Sequence, residues 1–199
     1  MYLIPRPKEY REKEGYFKLK RETKINLSYG CDFYELDCAL ELQKEIKDIF
    51  GFNMSINKSI SNTALKSSIN LIKINGMEDE EYKLIINNDS IEIIATFDSG
   101  IFYGIQTLKQ ILKQSSNLIR SLEIEDKPYF KNRGFFHDTT RGKVPTLETL
   151  KRLVDKAAFY KINQIQLYIE HTFAFKGMSE VWIDKDPLTS EEILILDMY

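Results

Sequence analysis

The spacing of apolar positions changes character about two-thirds of the way along the chain. Ile4-Pro5-Arg6-Pro7 opens extended, because each proline disfavours the helical region for the residue before it. Residues 16–19 and 24–27 alternate apolar and polar positions and read as strands. Asp32 with Glu35 three residues later is a capping-box pattern. Leu36, Ala39, Leu40, Ile46, Ile49 and Phe50 then share one helical face, and Gly51 ends the helix. Residues 54–57 and 68–74 are short strand candidates. Over residues 81–87 the apolar Tyr82, Leu84 and Ile86 lie on one face, Asn87-Asn88-Asp89 is turn chemistry, and Ile91, Ile93, Ala95 and Phe97 resume the alternation. That predicts an antiparallel hairpin with one buried face. A second helix, over residues 99–113, carries the stripe Ile101, Phe102, Ile105, Leu108, Ile111 and Leu112. Gly100 and Gly104 lower its helix propensity, and close packing on the sheet is the expected compensation. Residues 118–124 form one more strand, and Asp126-Lys127-Pro128 is a linker. Residues 1–126 therefore read as an α+β domain, an antiparallel sheet with two helices on one face.

After Pro128 the pattern becomes strand, helix, strand. Asn132-Arg133-Gly134-Phe135-Phe136-His137-Asp138-Thr139-Thr140-Arg141 is a strand running into a polar turn. Thr146 caps a helix whose stripe is Leu147, Leu150, Leu153, Val154, Ala157 and Ala158. In the next strand Ile165, Leu167 and Ile169 point one way and Gln164, Gln166, Tyr168 and Glu170 the other. A strand of an open parallel sheet is usually apolar on both faces, so a half-polar strand beside a crossover helix predicts a barrel whose interior carries function. Residues 182–187 are loop, and Thr189 with Glu192 is a second capping box. Residues 127–199 thus read as the first βαβ portion of an incomplete (β/α)8 TIM barrel, since a complete one takes roughly 250 residues.

Composition narrows this. The chain has 199 residues, 28 Lys+Arg against 30 Asp+Glu and a net charge of -2. The lysines are scattered, which gives no electrostatic case for nucleic acid. Residues 1–16 hold no apolar run of signal-peptide length and no stretch approaches 18 apolar residues, so no membrane association and a cytoplasmic location are expected. Cys31 and Cys38 stand seven apart with no second pair and no nearby histidine, which reads as two reduced thiols; no metal and no cofactor are expected. Asp79-Glu80 lies in a turn and reads as a solvated charge run, and His137 as a packed, hydrogen-bonded histidine.

Two stretches resemble the family 20 glycoside hydrolases, the β-N-acetylhexosaminidases. The first is Gly100-Ile101-Phe102-Tyr103-Gly104-Ile105-Gln106-Thr107-Leu108-Lys109-Gln110, which looks like the helix before that family's catalytic domain and follows the hairpin in the family's order. The second is Asp126-Lys127-Pro128, Arg133-Gly134, Asp138-Thr139-Thr140-Arg141, Pro145 and Tyr160-Lys161-Ile162-Asn163, which resembles the opening strand and helix of the family's barrel.

The resemblance implies a substrate-assisted retaining mechanism acting on terminal β-linked N-acetylhexosamines in glycans. The sugar's own 2-acetamido oxygen attacks the anomeric carbon, a glutamic acid protonates the leaving oxygen, and a neighbouring aspartate orients the acetamido group. It also implies that Arg141 hydrogen-bonds sugar hydroxyls. Position agrees, since Arg141 lies just past the end of the first barrel strand, where barrel sites are built, and its guanidinium is a rigid fork of donors. An Arg141–Asp138 ion pair bracing the turn is the alternative, and the two can coexist. Arg133, at the strand's start, reads as structural. The family's second strand is usually His-rich and ends in an acidic pair, whereas this chain has Gln166-Leu167-Tyr168-Ile169-Glu170-His171-Thr172, so either Glu170 or His171 takes the usual acid's place. The family's catalytic Asp-Glu pair lies beyond the second strand, so the general acid and its partner are expected outside this chain. The chain is then an inactive N-terminal fragment that self-associates through its unfinished barrel edge. The other readings are a stand-alone carbohydrate- or protein-binding α+β module, or part of a different TIM-barrel glycosidase.

Overall fold

A computed structural model describes residues 1–199, which fall into two compact units, Met1–Tyr129 and Phe130–Tyr199. The first is built on a seven-stranded sheet. Its strands are β1 (Glu9–Lys18), β2 (Lys24–Leu27), β3 (Ile56–Lys58), β4 (Ser68–Lys73), β5 (Tyr82–Ile86), β6 (Ser90–Ala95) and β7 (Leu118–Asp126), in the order β1-β7-β5-β6-β4-β2-β3. The helices α1 (Phe33–Phe50) and α2 (Asp98–Leu112) pack on each other, α1 on β2 and α2 on β5 and β6.

The sheet is mixed, which corrects the antiparallel expectation. β1, β7, β5 and β6 pair antiparallel, while β4 runs parallel to β6 and β2 parallel to both β4 and β3. The cause is connectivity. The β5–β6 hairpin forms as expected, but β6 is also the neighbour of β4, and α1 is the crossover that carries the chain from β2 to a parallel β3. A central parallel strand is covered on both faces, and Ser68 to Ile72 of β4 are all buried.

Local chemistry explains the helix ends. The Asp32 side chain accepts from Tyr34 N–H and the Glu35 side chain from Asp32 N–H, and Gly51 closes α1 in the left-handed region at φ 71°. The buried face of α1 is Glu35, Ala39, Leu42 and Ile46; Leu40, expected in the stripe, is exposed. Gly104 lets α2 approach closely, because a Cβ there would stand 2.5 Å from Ile93 Cγ2 and 3.2 Å from the Tyr82 ring. Tyr82 is buried, and its hydroxyl lies 2.6 Å from Thr107 Oγ1. Along α2, Gln110 accepts from Ile4 N–H at 2.9 Å and donates to Ile4 C=O at 2.7 Å. One turn further, Gln114 does the same for Tyr2 at 2.9 and 2.6 Å.

The second unit holds β8 (Gly134–Asp138), α3 (Leu147–Phe159), β9 (Gln164–Tyr168), the single turn α4 (Ser179–Trp182) and α5 (Ser190–Met198). β8 and β9 form a two-stranded parallel sheet with Asp138 opposite Tyr168. Thr146 caps α3, and Thr189 with Glu192 forms the capping box of α5. Trp182, the first residue of the stretch read as loop, instead ends α4, and its indole N–H donates to Phe175 C=O at 2.9 Å. No helix is long and apolar enough to cross a membrane.

Candidate functional site

The functional groups expected from the sequence gather just past the C-terminal ends of β8 and β9. Asp138, the last residue of β8, folds the turn that follows: its Oδ1 accepts from Thr140 N–H at 2.8 Å and Arg141 N–H at 3.2 Å. Thr139 sews the turn to β9, its N–H and hydroxyl both donating to Tyr168 C=O at 3.1 and 2.9 Å. Thr140 Oγ1 accepts from Glu170 N–H at 3.0 Å. The backbones carrying Arg141 and Glu170 are thus fixed against each other before their side chains meet.

The side chains meet at the guanidinium. Arg141 Nη1 donates to Asp138 Oδ2 at 2.9 Å and Nη2 to Glu170 Oε1 at 3.2 Å. The Arg141–Asp138 ion pair and a guanidinium open to solvent are therefore both present, since the Arg141 side chain is 66% exposed. The Thr140 amide and the Arg141 guanidinium hold the Asp138 carboxyl below its usual range, and Asp138 in turn raises Arg141. Arg141, Asp138 and Glu170 form one cluster. His171 is half-buried, and no hydrogen bond ties it to that cluster.

Tyr168 belongs to the cluster and was not singled out by the sequence. Its hydroxyl donates to Glu170 Oε1 at 2.5 Å, its ring centroid lies 5.3 Å from Arg141 Cζ, and Phe136 packs on it at 5.8 Å. The available signal was its place two residues before Glu170, on the polar side of β9. Arg133 is structural, as expected: its guanidinium donates to Lys161 C=O and Phe130 C=O, each at 2.7 Å. His137 stacks on Phe135 at 6.1 Å. Asp79 is tied rather than loose, accepting from the Ser99 hydroxyl at 2.6 Å at the start of α2.

In the first unit, oxygens of Asp32, Glu35 and Asp98 lie within 4.8 Å of one another. A cation is already supplied there by Lys73, 3.2 Å from Glu35 Oε1 and hydrogen-bonded to Asp98. Burial pushes the Glu35 carboxyl up, and Lys73 holds Asp98 down. Both cysteines are free, and burial raises the Cys38 thiol to about 12, which makes it unreactive.

The family model for glycosyl hydrolase family 20, domain 2, matches residues 1–127. The chain belongs to glycosyl hydrolase family 20. A beta-hexosaminidase subunit B1 from Dictyostelium discoideum is 33% identical over 146 residues, covering 67% of this chain and 26% of that protein. A Vibrio furnissii beta-hexosaminidase is 26% identical over 170 residues, 84% of this chain and 26% of that protein. Among solved structures, Flavobacterium johnsoniae chitobiase superposes with a TM-score of 0.80 at 27% identity, over 99% of this chain and 32% of that one. A Vibrio harveyi exo beta-N-acetylglucosaminidase in complex with N-acetylglucosamine shares the fold, with a TM-score of 0.80 at 21% identity over 98% of this chain and 34% of that one. The family 20 chain described here thus spans about a quarter to a third of the length of these relatives.

Proposed function

We propose that this chain is part of a β-N-acetylhexosaminidase that hydrolyses terminal β-linked N-acetylhexosamines, with residues 1–126 as an accessory α+β domain and residues 127–199 as the first βαβ portion of the catalytic TIM barrel. The observation that carries the reading is Arg141 held between Asp138 and Glu170 at the C-terminal ends of two parallel strands, where barrel active sites are built. A guanidinium has five N–H donors, and two carboxylates leave several of them for a ligand. Arg141 donates to sugar hydroxyls, and Asp138 and Glu170 accept from them. Glu170, not His171, takes the place of the second-strand acid, because Glu170 is the one bonded to Arg141.

The bond cleavage follows the substrate-assisted retaining course. The substrate's 2-acetamido oxygen displaces the leaving group at the anomeric carbon, a protonated glutamic acid delivers the proton to the departing oxygen, and water then opens the oxazolinium ion. Asp79-Glu80, the Asp-Glu pair in this chain, does not fill the acid's role, because it sits in a turn of the first unit, bonded to Ser99. The chain alone therefore binds but does not cleave. β8 and β9 pair only with each other, so each keeps one unpaired edge, and self-association through these edges is part of the same proposal.

The test combines two measurements on the purified chain. Titration with N-acetylglucosamine, followed by NMR, is expected to give millimolar binding that Arg141→Ala abolishes, an affinity of about 4 kcal/mol. No release of nitrophenol from a nitrophenyl N-acetylglucosaminide is expected. Binding that ignores Arg141→Ala overturns the site, and hydrolysis by the chain overturns the missing acid.

A further inference from the structure

We infer that Tyr168 is the positioning residue of this site, aligning Arg141 and Glu170 so that one guanidinium donor and one carboxylate acceptor meet neighbouring hydroxyls of the same sugar. The inference rests on the reading of Arg141 as a sugar-binding group and goes beyond it by naming what fixes that group.

Arg141 is long, exposed and carried on a turn, so by itself it would sample many rotamers and lose them on binding. Three features of Tyr168 oppose this. Its carbonyl accepts both Thr139 donors, which anchors the turn two residues before Arg141. Its ring lies 5.3 Å from the guanidinium carbon, within cation–π range. Its hydroxyl shares Glu170 Oε1 with Arg141 Nη2, at 2.5 and 3.2 Å, so both donors hold one oxygen. Tyr168 ends β9 and Glu170 lies two residues on, in the bend that follows, which brings its carboxylate within reach of the Tyr168 hydroxyl. Phe136, on the neighbouring strand, supports the ring from 5.8 Å. An aromatic ring that served only as barrel filling would need none of the hydroxyl contact to Glu170.

Tyr168→Phe separates positioning from packing, since it keeps the ring and removes the hydroxyl. In the full 199-residue chain, N-acetylglucosamine binding is expected to weaken about five- to tenfold, the cost of ordering on binding a long side chain that the hydroxyl no longer fixes. The melting temperature is expected to stay the same. The NMR signals of the Arg141 guanidinium, separate when its rotation is hindered by fixed partners, are expected to merge in the variant. Unchanged affinity and unchanged Arg141 signals in Tyr168→Phe overturn the inference. If Tyr168→Phe fails to fold, Phe136→Leu, which withdraws support from the ring without touching the hydroxyl, carries the decision: weaker binding with the fold intact supports positioning, and unaltered binding overturns it. If the unmodified chain binds no sugar, the functional reading fails on its own. The Arg141 signals of the two chains then still decide whether Tyr168 fixes the guanidinium.

Discussion

Ile93 and Leu194 are both branched aliphatic residues on regular elements, yet Ile93 is completely buried and Leu194 is 62% exposed. The contrast extends to their units. The main apolar cluster, from Phe17 to Ile124, lies wholly within Met1–Tyr129, where two helices cover one face of a seven-stranded sheet. In Phe130–Tyr199 only Leu150, Ala157 and Leu188 are buried apolar residues, while Phe135, Phe136, Leu194, Ile195 and Met198 are exposed. The first unit gains stability by removing apolar area from water. The second is fixed at its strand ends by a hydrogen-bonded turn, and the Arg141 cluster lies there.

Substitutions can break or sharpen the contrast. The largest effect is expected from Ile93→Ala, which opens a cavity under α2 and should cost about 2–5 kcal/mol, read as a lower urea midpoint with an unchanged slope. Gly104→Ala should cost about 1–3 kcal/mol through overpacking against Ile93 and Tyr82, even though alanine is the better helix former. A stabilised Gly104→Ala protein would mean that α2 sits further from the sheet than described.

Acid sharpens the contrast differently. Lys13 and Lys83 hold the Glu123 carboxyl at about 2, against an ordinary value of 4.5. The folded value is the lower one, so the contribution is complete above 4.5 and is lost as pH falls towards about 2. Glu123→Gln should flatten the stability curve in that window by ~1 kcal/mol, after allowing for solvent screening of a surface network. Smallest is Leu194→Ala, expected within about 0.5 kcal/mol of the parent protein. If Leu194→Ala cost as much as Ile93→Ala, the contrast between the units would be wrong.

Much of the first unit was legible because its signals are local. The capping box of Asp32 and Glu35, the stop at Gly51 and the turn at Asn87-Asn88-Asp89 each rest on residues within a few positions of one another. The parallel pairing of β4 with β6 was not legible, because a strand's second neighbour is chosen by tertiary packing that alternation along one strand does not report. Leu40, expected in the stripe, is exposed and Leu42 is buried for a similar reason: the helix stripe limits which residues share a face, and the sheet decides which face is inward. At the site, Arg141, Asp138 and Glu170 could be named from position and charge. The part of Tyr168 could not, because it depends on the distance between two turns that follow different strands.

Gln110 of α2 and Gln114 just past its end, which grip Ile4 and Tyr2, have a consequence for how this chain can vary. Each carboxamide turns one donor and one acceptor towards that segment, the same pair a neighbouring strand would offer, and both reach its main chain. The grip is therefore blind to the side chains it holds. Positions 2 and 4 can drift without loosening it, whereas Gln110→Glu, which removes the donor, would break the bond to Ile4 C=O and leave only the acceptor for Ile4 N–H, with the gripped segment's own composition untouched.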